Sequence, residues 1–60
     1  MKLKLTLEMD NAAFDDGNSG RTETARILSR LADQLERNPG QTEGRLLDAN
    51  GNTVGQWRIR

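Results

Sequence analysis

The chain has 60 residues, and its nine basic and nine acidic side chains give a formal net charge of zero. A chain of this length forms one domain with a thin core, which usually needs disulfides, a metal ion or oligomerisation for stability. Cysteine and histidine are absent, which excludes disulfides and Cys/His zinc sites, so we expect a homodimer.

The composition also indicates where the chain acts. No apolar stretch approaches the roughly 20 residues of a membrane span, so no membrane association is expected. The first residues lack the continuous apolar segment of a signal peptide. The absence of cysteine fits a reducing compartment, and we therefore expect the cytoplasm. A zero net charge argues against a general nucleic-acid binder, which is normally strongly basic.

Residues 2–9 alternate strictly between polar and apolar side chains, which is the period of a β-strand with one buried face. The side chains predicted to face the core are those of Leu3, Leu5, Leu7 and Met9. Residues 10–20 are rich in turn formers and predict a loop. Phe14 lies within that loop, and we expect it to fold back against the core.

The spacing of apolar residues predicts an amphipathic helix over residues 22–37. Its inner face is predicted to carry Ile27, Leu28, Leu31 and Leu35. Ser19 or Thr22 can cap the start of this helix. The sequence Asn38-Pro39-Gly40 ends it, because proline cannot continue a helix and glycine favours its termination.

Residues 44–60 read as a β-hairpin with its turn at Asn50-Gly51, since both residue types tolerate a positive φ. Two registers remain open. A two-residue turn pairs Leu46 with Gly55, whereas a three-residue loop with a glycine bulge pairs Leu46 with Val54.

The choice of register decides which leucine reaches the core, because a one-residue slip exchanges the two faces of a strand. Trp57 and Ile59 share a face and are predicted to be buried. Either Leu46 or Leu47 joins them, and the other, with Val54, is left on the open face. Leu46, Leu47 and Val54 are therefore the candidate contacts of a homodimer.

Together these elements predict a single α+β domain over residues 1–60 in the order β-α-β-β. The three strands form a mostly antiparallel sheet, and the helix packs on one face. A right-handed crossover between parallel first and second strands would place the last strand between them.

The residue types needed for catalysis are missing. A serine nucleophile would need a lysine as its base, and the only lysines are Lys2 and Lys4, far in sequence from Ser19 and Ser29. No catalytic residue, enzymatic activity or cofactor is therefore expected. The acidic residues near the first loop lack the spacing of a calcium-binding loop, so no metal site is expected either.

Charged and polar side chains provide candidate surfaces for a protein partner, although solvated surface is the competing interpretation. The candidates in the first loop are Asp10, Asp15, Asp16 and Asn18. Those on the outer helix surface are Arg26, Arg30 and Arg37.

Binding of nucleic acid or nucleotide phosphate is the alternative. Lys2, Lys4, Arg58 and Arg60 would line one sheet face if the first and third strands were neighbours. Arg21 could add a charge to a phosphate held by the glycine-bearing loop at the helix start. Nucleic acid is not the favoured partner, because single-strand binders normally expose stacking aromatic side chains.

Four segments carry a resemblance to known proteins. They are Leu5-Thr6-Leu7, Asp10-Asn11-Ala12-Ala13-Phe14, the segment from Thr24 to Leu35, and Leu47-Asp48-Ala49-Asn50-Gly51-Asn52-Thr53-Val54-Gly55. Their order resembles a group of short phage and prophage proteins without an assigned activity. The resemblance implies an origin on mobile elements. By analogy of size and origin, it suggests stoichiometric inhibition of a host protein, such as an anti-phage defence complex, in the host cytoplasm.

Overall fold

A computed structural model describes residues 1–60. Its elements in chain order are β1 (Leu3–Leu7), a short 3-10 helix (Ala12–Phe14), α1 (Arg21–Arg37), β2 (Glu43–Leu47) and β3 (Thr53–Ile59). The predicted elements are all present, and their ends differ from the predicted bounds mainly at β1, which is shorter than residues 2–9. The helix is not long and apolar enough to cross a lipid bilayer.

The three strands form a sheet in the order β1-β3-β2, with both neighbouring pairs antiparallel. The predicted α+β class is confirmed, and β3 lies between the first two strands, which is the strand order that was predicted. β1 and β2 consequently run in the same direction on opposite edges of the sheet.

The core is small and lies between α1 and one half of the sheet. Six apolar side chains are buried together, namely those of Phe14, Ile27, Leu31, Leu46, Val54 and Trp57. Phe14 folds back into this cluster as predicted. Trp57 occupies the centre of the sheet because it pairs with Leu5 of β1 on one side and with Gly44 of β2 on the other.

Four apolar side chains predicted to face the core are exposed instead: the fraction accessible to solvent is 52% for Leu3, 37% for Leu5, 41% for Met9 and 43% for Leu28. The physical reason is the lateral position of the helix. One flank of α1 meets the β2 side of the sheet, where Arg30 and Gln34 line a small depression together with β2 residues. Leu28 lies on the other flank, so the helix leaves β1 uncovered at Leu3 and Leu5, whereas Leu7 still packs against the core.

The hairpin uses both registers, separated by a β-bulge. Leu46 pairs with Gly55, but Leu47 pairs with Thr53, so Val54 is the additional residue on β3. A bulge of this kind changes the side-chain alternation along a strand, and both Leu46 and Val54 are buried. The expectation that Val54 lies on the open face is therefore wrong. Of the three proposed dimer contacts only Leu47, 41% exposed, lies on the surface.

Glycines provide space where the sheet is tightest. A Cβ atom at Gly44 would lie 2.7 Å from Trp57 Nε1, so a side chain there would displace the indole. A Cβ atom at Gly55 would overlap the backbone carbonyl oxygen of Thr6 on β1. The backbone of β1 can approach β3 at this point only because residue 55 has no side chain.

We predict that Gly55→Ala destabilises the domain by more than about 2 kcal/mol, because the added methyl overlaps backbone that cannot move independently of the sheet. Urea unfolding followed by tryptophan fluorescence measures this change. The matched control is Gly40→Ala, where an added Cβ meets no atom within 4 Å and stability should change by less than about 1 kcal/mol. Equal stability of the two variants would contradict the assigned strand packing.

Candidate functional site: the open face of the sheet

The loop before α1 is closed by Asp16. Its Oδ1 accepts hydrogen bonds from the backbone N–H groups of Asn18 at 2.8 Å and Gly20 at 3.0 Å, and its Oδ2 accepts one from Glu23 N–H at 3.0 Å. These bonds, led by that from Glu23, lower the pKa of Asp16. The N-cap position itself is Gly20, with φ at 76° and no side-chain cap, so the predicted caps Ser19 and Thr22 are wrong.

This arrangement weakens the phosphate site proposed at the helix start. The backbone N–H groups that would bind a phosphate already donate to a carboxylate of the chain. An incoming anion would have to displace Asp16 and would be repelled by it. Arg21 is exposed at the first helical position, away from the four basic residues of the predicted sheet face.

A second carboxylate, that of Asp48, is buried and forms hydrogen bonds within the loop between β2 and β3. Its Oδ1 accepts hydrogen bonds from the backbone N–H groups of Asn50 at 2.8 Å and Asn52 at 2.9 Å. Its Oδ2 accepts one from Asn11 Nδ2 at 2.7 Å, which joins the hairpin loop to the first loop. Burial raises the pKa of Asp48, but the hydrogen bonds from Asn52 and Asn11 outweigh it and the net pKa is lowered.

Glu23 completes this end of the molecule. Its Oε2 accepts a hydrogen bond from Ala49 N–H at 2.8 Å, which attaches the hairpin loop to the first turn of α1. Arg26 binds both Glu23 oxygens, at 2.8 and 2.9 Å. The hydrogen bond from Arg26 is the largest influence on the pKa of Glu23 and lowers it, although burial opposes this shift. The same hydrogen bond raises the pKa of Arg26.

The residues proposed for a protein partner are thus not one surface. Arg26 is bound by Glu23, and Arg37 pairs with Asp33 at 3.2 Å. Of the three candidates on the outer helix surface, only Arg30 has no ion pair. Asp16 is part of the loop structure. The remaining loop candidates are exposed: Asp10, Asp15 and Asn18. No three acidic side chains converge to form a group that could hold a metal ion.

The open face of the sheet, by contrast, brings the predicted basic residues together. Strand pairing aligns Lys4, Arg58 and Glu43 in one row across the three strands, and Thr6, Gln56 and Arg45 in the next. These two rows border a shallow depression of about 360 Å³. A neighbouring hollow of about 210 Å³ is lined by Lys2, Lys4, Arg58 and Arg60 alone.

We call this surface the basic face, defined by Lys2, Lys4, Arg45, Arg58 and Arg60. These five residues are more than half of the nine basic side chains of the chain. Sequence reasoning missed Arg45, because its orientation depends on the hairpin register that the bulge determines. The face offers no aromatic platform, since Phe14 and Trp57 are both buried.

Fold and site together define a small α+β domain with a basic, polar open sheet face. Comparison with protein-family models, curated proteins and solved structures finds no match to this chain. The resemblance to phage and prophage proteins stays a prediction.

The three lowered carboxyl pKa values predict acid sensitivity. A carboxyl group whose pKa is lower in the folded state stabilises the fold above its unfolded pKa, about 4, and that contribution is lost as the pH falls through the folded value. We expect the thermal unfolding midpoint to be constant from pH 7 to about 5 and to fall below about pH 4. Circular dichroism during heating measures it.

Asp48→Asn should lower the midpoint by several degrees at pH 7 and make the acid decline shallower. The substitution places an amide nitrogen against Asn11 Nδ2, so two donors meet where a donor now meets an acceptor. The control is Asp33→Asn on the exposed helix surface, which should leave the midpoint nearly unchanged. An unchanged acid profile in Asp48→Asn would contradict the role given to this carboxylate.

Proposed function

We propose that this chain is a non-enzymatic binding protein that attaches stoichiometrically to an acidic surface of a protein partner through its basic face. The observation that carries the proposal is the separation of charge within a neutral chain. None of the five cations of the basic face forms an ion pair within the chain, whose two ion pairs are both on α1. Unpaired cations collected on one face attract an acidic partner and orient it.

The character of the face favours a protein over a nucleic acid. Neutral polar side chains, Thr6 and Gln56, and the acidic Glu43 are interspersed with the cations. A mixed surface of this kind can form specific hydrogen bonds with a protein. The zero net charge of the chain provides little long-range attraction to a polyanion.

The resemblance to phage and prophage proteins supplies the proposed biological setting. In that setting the partner is a host protein, such as a component of an anti-phage defence complex, and the site of action is the host cytoplasm. A small chain of this kind would act by occupying the partner's acidic surface, with one binding site on each copy.

A second candidate function, binding of nucleic acid or nucleotide phosphate, is favoured by one specific observation. The hollow of about 210 Å³ is lined by four basic residues and by no acidic residue. Such a hollow has the size and charge to accept phosphate groups.

Two variants that lose the same charge test whether the basic face binds the partner. Arg45→Gln/Arg58→Gln removes two cations from the basic face, and Arg30→Gln/Arg37→Gln removes two from the helix. Tagged wild-type and variant chains are used to capture proteins from a bacterial host lysate, and the captured proteins are identified by mass spectrometry. We expect a captured protein that the first variant loses and the second retains. Capture that survives loss of Arg45 and Arg58 would contradict the proposal.

Binding of nucleic acid at increasing salt concentration distinguishes the two candidate functions. A short DNA duplex and a short single-stranded RNA are titrated with the chain at increasing salt concentration. Protein recognition predicts negligible binding of either probe at physiological salt. If phosphate binding is the function, the logarithm of the affinity should instead fall with that of the salt concentration with a slope of about −3 to −4, for four phosphate contacts. Arg45→Gln/Arg58→Gln should then reduce the steepness of that slope, and Arg30→Gln/Arg37→Gln should not.

A further inference from the structure

The outer edge of β1 has no partner strand within the chain. Lys2 and Arg60 exchange both backbone hydrogen bonds, at 2.6 and 2.9 Å. In an antiparallel ladder this directs the even-numbered residues of β1 toward β3. The backbone N–H and C=O groups of Leu3, Leu5 and Leu7 therefore point outward, where they can form hydrogen bonds with another strand.

An apolar strip runs alongside this free edge. Leu3 and Leu5 lie on the helix side of the sheet, since Leu5 shares a face with Trp57. Leu28 lies on the flank of α1 that is turned toward β1. All three side chains are more than one third exposed. A domain with six buried apolar residues thus leaves a further apolar surface open along one edge.

From this edge we infer that two copies of the chain associate by antiparallel pairing of their β1 strands about a two-fold axis at Thr6. The pairing forms a continuous six-stranded sheet with both helices on the same side. Leu5 then pairs with Leu7 of the second copy, and each pair exchanges the outward-pointing backbone bonds. The Leu28 flanks of the two helices approach each other over the apolar strip.

Charge complementarity favours a second copy of the chain as the partner strand, and an axis at Thr6 satisfies it. With the axis at Thr6, Lys4 lies opposite Glu8 of the second copy on the open face, and symmetry repeats this pair. Glu8 can take part because its N–H still donates to Val54 C=O, at 2.7 Å, so the strand geometry extends that far. An axis at Lys4 would oppose two lysines instead, which is unfavourable. The strand is therefore complementary to its own antiparallel copy.

The other edge of the sheet is a poorer candidate. The ladder between β2 and β3 is interrupted at the Leu46/Leu47 step, where Val54 is the additional residue on β3, and the local twist at a bulge hinders regular pairing of the neighbouring edge with a further strand. Its apolar side is already flanked by Arg30 and Gln34 of α1. β1 contains no bulge, no proline and no glycine, and on its helix side only Leu7 packs against the core.

The first experiment measures solution mass by light scattering on a sizing column from micromolar concentration upward. We expect twice the chain mass of 6.7 kDa for the wild type and the single mass for Leu28→Glu, which brings like charges together near the axis. The control is Leu47→Glu, a leucine of nearly equal exposure on the opposite edge, which should stay dimeric. Circular dichroism checks that both variants are folded. A monomeric wild type, or a folded Leu28→Glu dimer, would overturn the inference.

The second experiment tests the register by disulfide formation, which is free of background because the chain has no cysteine. Residues directly opposed without hydrogen bonds in an antiparallel pair have Cα atoms about 4.5 Å apart, within the range that a disulfide spans. Thr6→Cys should form a covalent dimer on mild oxidation. Ser29→Cys, exposed on α1, should not. A dimer in solution in which Thr6→Cys fails to cross-link would overturn pairing about Thr6.

Discussion

The architecture of this domain depends on a polar constraint at one end of the sheet, the pair of carboxylates Asp48 and Glu23. Asp48 holds the hairpin loop in shape and binds Asn11 of the first loop. Glu23 binds the same hairpin loop through Ala49 and thereby attaches it to α1. In a chain with six buried apolar residues, these hydrogen bonds connect segments that apolar packing alone would hold weakly.

The constraint also determines the position of the helix. Because Glu23 is bonded to the loop between β2 and β3, the start of α1 is held at that side of the sheet. Ile27 and Leu31 consequently pack with Leu46, Val54 and Trp57, and little of the helix surface remains for β1. The exposed leucines along β1 are thus a consequence of where two hydrogen-bonded carboxylates hold the helix.

Sequence reasoning could predict what depends on local periodicity. Alternation along β1, the helical spacing of Ile27 and Leu31, and the proline-glycine end of α1 each specify an element, and the crossover rule then places β3 in the centre. It could not predict that Leu28 is exposed, because periodicity defines the face of a helix and not its lateral position over a sheet. Nor could it predict the bulge at Val54, since either register satisfied the turn signal.

The same distinction between local periodicity and tertiary packing applies to the candidate site. The alternation along β1 and β3 was enough to place four basic residues on one face once those strands were neighbours. Arg45 was missed because its orientation depends on the bulge. Asp16 and Asp48 were missed as structural groups because most of their partners are backbone N–H groups, and the distant partner of Asp48 is the side chain of Asn11, neither of which residue types alone reveal. The Asp-x-Asn-x-Asn spacing from Asp48 to Asn52 was the available signal, typical of side chains that bind the backbone of a turn.

The two proposed surfaces are on different parts of the molecule but share Lys4. In the inferred dimer Lys4 is opposed by Glu8 of the second copy, which screens its charge from an outside partner. The remaining positive charge on each copy is then that of Lys2, Arg45, Arg58 and Arg60, and Arg45 and Arg58 lie on β2 and β3, away from the two-fold axis. The dimer would carry two separate basic patches, related by symmetry and displaced from one another along the sheet. An acidic partner would accordingly bind at each patch, with two partner molecules per dimer, unless its own acidic surface is two-fold symmetric and spans both.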